Sequence, residues 1–334
     1  MNLPLLEMLR ARRGEWCRSR EIANHLFITP VAVRDDAFEL QRAGYPLDCR
    51  RGRYRFTGVY ERLLPYEITR ALGTAVIGKR VVCLETVGST NDEAWRLFRE
   101  GVLPLGGAVF AEAQSEGRGR FGRRWLCPRG TGVLMSVVLS PELDGSSSSI
   151  LTVMGAVAAT DALNEHFRVP ALIAWPNDVI VKGRKLGGVL VEARRDPQRG
   201  RALILGMGLN VNVNQRDMPE EIRPLATSLR ILTGKPVDRI AFIRALLRSL
   251  DRWYAEALHA RHRVISQQWR QYSADLGERI TVQHAGRRYR GRVLDLSVEE
   301  GLVLRLDHGG TRVFDAGEAG GVSVIRSQEF KTRN

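Results

Sequence analysis

The sequence predicts a multidomain α+β protein in three parts: a small helical module with a basic hairpin, a larger α/β unit, and a small β-barrel. Three observations carry this. A capped helix follows a turn near the N terminus, with Thr29 as N-cap, Pro30 at the first helical position and Gly44 just past the end. A run of three glycines and four arginines, Gly117-Arg118-Gly119-Arg120-Phe121-Gly122-Arg123-Arg124-Trp125, interrupts apolar strands in mid-chain. Short strand-like segments separated by glycine turns fill residues 277–326.

At 334 residues the chain has room for two or three domains with cores of their own. Its formal charge of +14 and pI near 10.3 point to affinity for nucleotide, phosphate or nucleic acid. Cys17, Cys49, Cys83 and Cys127 lie far apart, with neither a C-x-x-C pair nor companion histidines. That pattern argues against a disulfide framework or zinc site and for thiols in a reducing compartment. Met1–Arg13 is broken by Pro4, Glu7 and Arg10, unlike a signal peptide, and no apolar run reaches membrane-spanning length. The expectation is a cytoplasmic protein with no membrane partner and no metal site.

Residues 1–62 read as a helical module. Leu5, Leu6, Met8 and Leu9 give the first helix an apolar side, a second runs about Ser19–Leu26, and the third buries Val33, Ala37 and Leu40 at helical spacing. This order fits a helix-turn-helix. Arg50-Arg51-Gly52-Arg53-Tyr54-Arg55-Phe56 then alternates aromatics with arginines, as a wing laid on a phosphate backbone would. Candidate DNA contacts are Thr29, Val31 and Arg34 on the third helix and Arg50, Arg51, Arg53 and Arg55 on the wing. Against this stand Asp35, Asp36 and Glu39 on the exposed side of the third helix, which repel phosphates. The charge balance is also mild, since 12 Lys/Arg against 8 Asp/Glu give +4 over residues 1–62. The alternative is an accessory domain whose basic hairpin only keeps it soluble.

The α/β unit begins around Leu63–Lys79. Strand Val81–Leu84 feeds Ser89-Thr90-Asn91, whose local reading is a helix start with Thr90 and Glu93 as capping box. The competing reading has the hydroxyls and amide bracketing a polar head group. Val109–Ala113 leads past Gln114 into the glycine–arginine loop. The loop matches G-x-G-x-x-G, yet it runs into Trp125, Cys127-Pro128 and strand Val133–Leu139, with no helix to receive a pyrophosphate. A loop closing over an anionic ligand is the better reading, because four clustered guanidinium groups repel one another without one. Gly145 and Ser146–Ser149 read as a flexible surface loop, and Ile150–Phe167 as an alanine-rich core helix. Trp175-Pro176-Asn177-Asp178 precedes a strand, a turn at Lys182–Arg184 and a second strand in which Lys185 is the anomaly. Lys185 either snorkels to solvent or points a fixed cation into a pocket beneath the loop. Gly187-Gly188 and Gly206-Met207-Gly208-Leu209-Asn210 permit close backbone approach. Ile243, Leu246, Leu247, Leu250 and Trp253 mark a core helix around Arg239–Leu258.

Ser89-Thr90-Asn91, Gly117–Trp125, Trp175–Asp178, Lys185–Glu192 and Gly206–Asn210 resemble, in order and spacing, the successive motifs of the biotin–protein ligases. With the N-terminal module, the chain is similar to the bifunctional bacterial type, ligase and biotin-operon repressor in one chain. The resemblance implies a winged helix-turn-helix over residues 1–62. It further implies a mixed-sheet catalytic domain akin to class II aminoacyl-tRNA synthetases over 63–274, and an SH3-like barrel over 275–334. It implies that biotin's carboxylate attacks the α-phosphate of Mg2+-bound ATP to give biotinyl-5′-adenylate. A lysine of the biotin carboxyl carrier protein of acetyl-CoA carboxylase then takes the acyl group. Fixed cations and exclusion of water suit that first step.

On this resemblance Ser89, Thr90, Asn91 and Gln114 hold the biotin head, and Arg118-Gly119-Arg120 orders over carboxylate and phosphates. Lys185 neutralises the carboxylate and Asp178 orients the acceptor lysine, with Gly188, Gly206 and Asn210 completing the pocket. Phe121 departs from the family pattern, where many relatives carry a charged or small residue. Operator DNA and a homodimer of the adenylate-bound form are the further partners implied. The rival readings are a ligase with an inactive DNA-binding module, a lipoate- or octanoate-transferring relative, and a non-enzymatic biotin sensor.

Overall fold

The computed structural model describes residues 2–58, 60, 62–140, 147–315 and 323–325, and the chain divides into two compact units, Met1–Leu64 and Pro65–Asn334. In the first, α1 (Leu3–Ala11), β1 (Cys17–Arg18), α2 (Ser19–Leu26), α3 (Pro30–Arg42), β2 (Leu47–Arg50) and β3 (Arg53–Phe56) follow in order, with the strands paired β1-β3-β2. Helix boundaries follow from local chemistry. Asn2 caps α1 through Leu5 N–H, Thr29 caps α3 through Ala32 N–H at 3.1 Å, and α2 stops at Phe27 in the left-handed region. Val33, Ala37 and Leu40 are fully buried, as are Leu5, Leu6 and Leu9. The β2–β3 turn places Arg51 and Gly52 at positive φ, which suits the twist of a two-residue hairpin.

The second unit opens with α4 (Pro65–Thr69), β4 (Val81–Val87), α5 (Thr90–Arg99), β5 (Ala108–Gln114), β6 (Gly132–Leu139) and α6 (Ser147–Asp161). It continues through β7 (Leu172–Ala174), β8 (Asp178–Val181), β9 (Arg184–Asp196), β10 (Gly200–Asn210), α7 (Leu229–Thr233), α8 (Arg239–Leu258) and α9 (His262–Tyr272). The seven strands form one mixed sheet, ordered β4-β5-β6-β10-β9-β8-β7. Only β4 and β5 pair in parallel, because α5 carries the chain across between them. β6 is buried along its whole length, and its continuous apolar run is the signature of a strand covered on both faces. The apolar helices α6 and α8 pack together, and the expected α8 core residues are buried. Asp161, at the end of α6, accepts from Trp253 Nε1 on α8 and from Tyr272 Oη on α9 at 2.5 Å, and so ties three helices together.

The remaining strands, β11 (Arg279–His284), β12 (Arg287–Ser297), β13 (Gly301–Leu306), β14 (Thr311–Phe314) and β15 (Ser323–Ile325), form an antiparallel sheet ordered β14-β13-β12-β11-β15. Asp275 accepts from Trp175 N–H at 2.6 Å, and Arg270 on α9 grips Asp295 on β12 through two hydrogen bonds. The boundary expected at residue 275 therefore falls inside a single compact unit. Residues 326–334 of the expected third domain lie outside the described residues.

Three local expectations change. Gly145 and Ser146 lie outside the described residues, but Ser147–Ser149 begin α6 rather than a loop. The expected helix to Phe167 ends as an α-helix at Asp161 and gives way to one π-turn, Ala162–His166. The capping box at Thr90 is absent: Ser89 is the N-cap residue and makes no side-chain cap bond, and the Thr90 hydroxyl donates to Gln114. Among the described residues no helix is long and apolar enough to cross a membrane.

Candidate active site

A cavity of about 280 Å³ opens over β9 and β10, between the start of α5 and the glycine–arginine loop. That size suits a small molecule. Every candidate ligase residue lines it: Ser89, Thr90, Asn91, Gln114, Arg118, Gly119, Arg120, Asp178, Lys185, Gly188, Gly206 and Asn210. Five separate stretches of sequence thus converge because the sheet brings the ends of β4 and β5 together with β8, β9 and β10.

The inner end is a closed hydrogen-bond network. Gln114 Oε1 accepts from Thr90 N–H at 2.7 Å and from the Thr90 hydroxyl at 3.0 Å. Ser136 on β6 donates to Asn91 Oδ1 at 2.6 Å and lies 2.8 Å from Thr90 Oγ1. Asn91 Nδ2 donates to Glu192 at 2.7 Å. Three of these side chains are at least nine-tenths buried, so their orientations are fixed before any ligand arrives. Gly206 is needed here, since a Cβ at that position would run into the Asn91 amide oxygen. Gly208 plays the same part for Trp125, whose ring would meet an added Cβ at 2.6 Å. On the far wall, Asn210 Nδ2 donates to the Thr227 carbonyl at 3.1 Å.

The outer end is cationic. Lys185 Nζ sits 2.7 Å from Asp178 Oδ1 and 5.8 Å from the centre of the Trp125 ring, so it does not snorkel away. A register shift in the β8–β9 pairing between Val179 and Ile180 accompanies this placement of Lys185 beside Asp178. Arg120 begins a 3₁₀ turn, Arg120–Gly122, in which Phe121 takes a left-handed φ of 60°. Burial pushes the Arg120 guanidinium below its usual value, against the pull of Asp178 and Asp315. Phe121 lies half-exposed with Arg120 over its ring at 5.2 Å.

Arg118 pairs with carboxylates of the protein itself. Its guanidinium grips both Asp92 oxygens, at 2.6 and 2.7 Å, and also reaches Glu192 at 3.0 Å. Arg194 joins the same carboxylates at 3.0 and 3.4 Å. The Arg118 hydrogen bonds hold the Asp92 carboxyl below its ordinary range. Burial works to raise Glu192, but hydrogen bonds from Arg118 and Asn91 prevail and lower it. Arg118 is thus the clasp of the loop, and Lys185 and Arg120 are the cations beside Asp178.

Asp92, Ser136 and Arg194 went unnoticed in the sequence, as did Ile222 and Ala226, which close the cavity from the segment after β10. Ala226 gave no local signal, because its place comes from a bridge to Lys185 across the fold. Trp125 and Glu192 were visible as motif ends without a role.

Residues 83–212 match the Biotin/lipoate A/B protein ligase family. The chain is 29% identical to the bifunctional ligase/repressor BirA of Bacillus subtilis, over 93% of this chain and 96% of that protein. It is 30% identical to the biotin–[acetyl-CoA-carboxylase] ligase of Mycobacterium tuberculosis, over 68% of this chain and 85% of the relative. Among solved structures, the biotin protein ligase of Aquifex aeolicus in complex with biotin and ATP is similar at a TM-score of 0.65 and 30% identity. That match spans 75% of this chain and all of the other.

Proposed function

Since this chain belongs to the biotin–protein ligases, within the biotin/lipoate A/B protein ligase family, we propose that it makes biotinyl-5′-adenylate from biotin and ATP and passes the biotinyl group to a carrier-protein lysine. The observation that carries this is one cavity with a fixed polar network at one end and Lys185 and Arg120 at the other. Biotin's ureido head, with donors and acceptors on one ring, suits the Ser89, Thr90, Asn91 and Gln114 end. Its carboxylate then lies toward Lys185, where it meets the α-phosphate of ATP.

Two anions must approach each other in that step, so charge neutralisation and exclusion of water are what the protein supplies. Lys185 supplies the charge, held in place by Asp178 and the Trp125 face. Asp178 is placed to turn from Lys185 to the incoming amine of the acceptor lysine, taken here to belong to the carrier protein of acetyl-CoA carboxylase. Arg120 and the backbone of Gly119 cover the phosphates while Arg118 anchors the loop. Among the described residues no cluster of three His, Cys, Asp or Glu could hold a metal ion. Mg2+ is proposed to enter bound to the triphosphate of ATP.

The test is biotin-dependent pyrophosphate release by Lys185→Ala. A loss of about 100- to 1,000-fold is expected for a cation acting on developing charge. Release within a few-fold of wild type would remove Lys185 from the mechanism. Octanoate or lipoate displacing biotin from the adenylation reaction would favour the acyl-transferring relatives instead.

The Met1–Leu64 unit is proposed to be a winged helix-turn-helix that binds operator DNA, with the C-terminal sheet an SH3-like barrel. The arrangement α2–turn–α3 followed by the β2–β3 hairpin supports this, as does the full-length similarity to a ligase/repressor. On the acidic α3, Arg34 offsets the charge of Asp35 at 3.1 Å, whereas Asp36 accepts from Asn2 at 2.7 Å and keeps its charge. Arg55 is taken up by Asp48 and by stacking over Trp16, and Arg50 also lies over that ring. The phosphate contacts therefore fall to exposed Arg51 and Arg53, with Thr29 and Val31 at the start of α3. Operator binding tightened by biotin and Mg2+-ATP together, with dimer formation followed by sedimentation, is the expected outcome. Ligase activity without specific DNA binding would leave the unit an inactive module.

A further inference from the structure

The outward face of the five-stranded sheet carries arginines in register. Arg279 on β11 stands opposite Arg292 on β12, and Arg292 stands opposite Arg305 on β13. Directly opposed residues share one face of a sheet. Arg290 and Arg288 continue that face along β12, opposite Thr281 and Gln283. All five arginines are exposed. Among the described residues one carboxylate answers them: Asp307 lies 2.7 Å from Arg279 and 3.6 Å from Arg290.

Like charges directly opposite one another destabilise a sheet, so folding alone gives no reason for this row. An anionic ligand does. Strands about 4.8 Å apart make the row about 10 Å wide, and a rise of about 3.4 Å per residue puts Arg288 about 14 Å from Arg292. Over that length a duplex, with one charge per ~1.7 Å, presents about eight phosphates. The face carries no aromatic ring among its described residues, since Tyr289 and Phe314 pack together on its other side with centroids 5.5 Å apart. It offers no platform for stacking single-stranded bases, only planar forks that match phosphate oxygens.

We propose that this sheet face holds the phosphate backbone of double-stranded nucleic acid without reading its sequence, on residues outside the Met1–Leu64 unit. The test is fluorescence anisotropy of the full chain with a labelled 20-base-pair duplex of arbitrary sequence across a KCl series (duplex length chosen at roughly two helical turns). Each phosphate neutralised contributes about −0.9 to the slope of log affinity against log salt. The Arg288→Gln/Arg290→Gln/Arg292→Gln variant should flatten the slope by about 2.7 and weaken binding at least tenfold, with biotin-dependent pyrophosphate exchange unchanged. If the triple variant loses exchange, Arg290→Gln alone carries the test, with about 0.9 off the slope. Wild-type slope and affinity in these variants, with all duplex binding lost in Arg51→Gln/Arg53→Gln, would overturn the proposal. So would unchanged duplex binding alongside a raised KM for the carrier protein, which would assign the face to an acidic protein.

Discussion

Cutting the clasp between α5 and the glycine–arginine loop should open the loop by a calculable amount. Asp92 takes both branches of Arg118, yet its side chain is 49% exposed, so solvent screening confines the pair to the surface range of about 0.2–1 kcal/mol. Bidentate geometry puts it near the top of that range. Asp92→Ala leaves Arg118 on Glu192, and a loss of about 1 kcal/mol corresponds to about fivefold more open loop. Glu192→Gln costs more, about 2 kcal/mol, because this carboxylate is only 22% exposed and holds Arg118 where water screens the pair less. That corresponds to about thirtyfold.

Trypsin reads the opening directly, since Arg118, Arg120, Arg123 and Arg124 are all cleavage sites within the loop. At low protease the cleavage rate follows the open population. The expected rates are about fivefold and about thirtyfold above wild type, with release of bound adenylate accelerated in the same order. The carboxyls of Asp92 and Glu192 are held below their ordinary range, so the clasp is complete above that range. It is lost as pH falls through the lowered values. Cleavage of Asp92→Ala at the wild-type rate, with no added sensitivity at acid pH, would refute the clasp.

Two more outcomes follow from buried geometry. Gly206→Ala drives a methyl into the Asn91 amide, and should raise the KM for biotin at least tenfold while leaving the melting temperature within a few degrees; an unchanged KM would free Asn91 from the binding site. Asp161→Ala strands Trp253 and Tyr272 and should cost about 3 kcal/mol in urea unfolding. In the wild type, burial and Asp161 push the Tyr272 hydroxyl up to about 12. Its stabilising contribution is present below the ordinary phenol range and is lost as pH rises through about 12, which ultraviolet titration of the phenolate would follow.

The order of elements was legible in the sequence because local chemistry decides it. Thr29 and Pro30 start α3 by their own chemistry, and the apolar runs Val179–Val181 and Val189–Val191 extend as strands on either side of a turn. The glycine–arginine loop pointed to an anionic ligand by its charge, and the resemblance of five motifs to the biotin–protein ligases placed the candidate residues together. Which partner each of those residues meets was decided only by the fold. Lys185 could snorkel or point inward on its own strand, and a shift in the β8–β9 register together with Trp125 points it inward. Thr90 looked like a cap, and Gln114, 24 residues away, takes its hydroxyl instead. Nothing local in the sequence pairs Arg118, and in the fold its guanidinium meets Asp92 and Glu192 from two other elements. Local sequence fixes backbone preference and net charge, whereas the partner of a charge is a long-range contact that exists only once α5, β5 and β9 have come together.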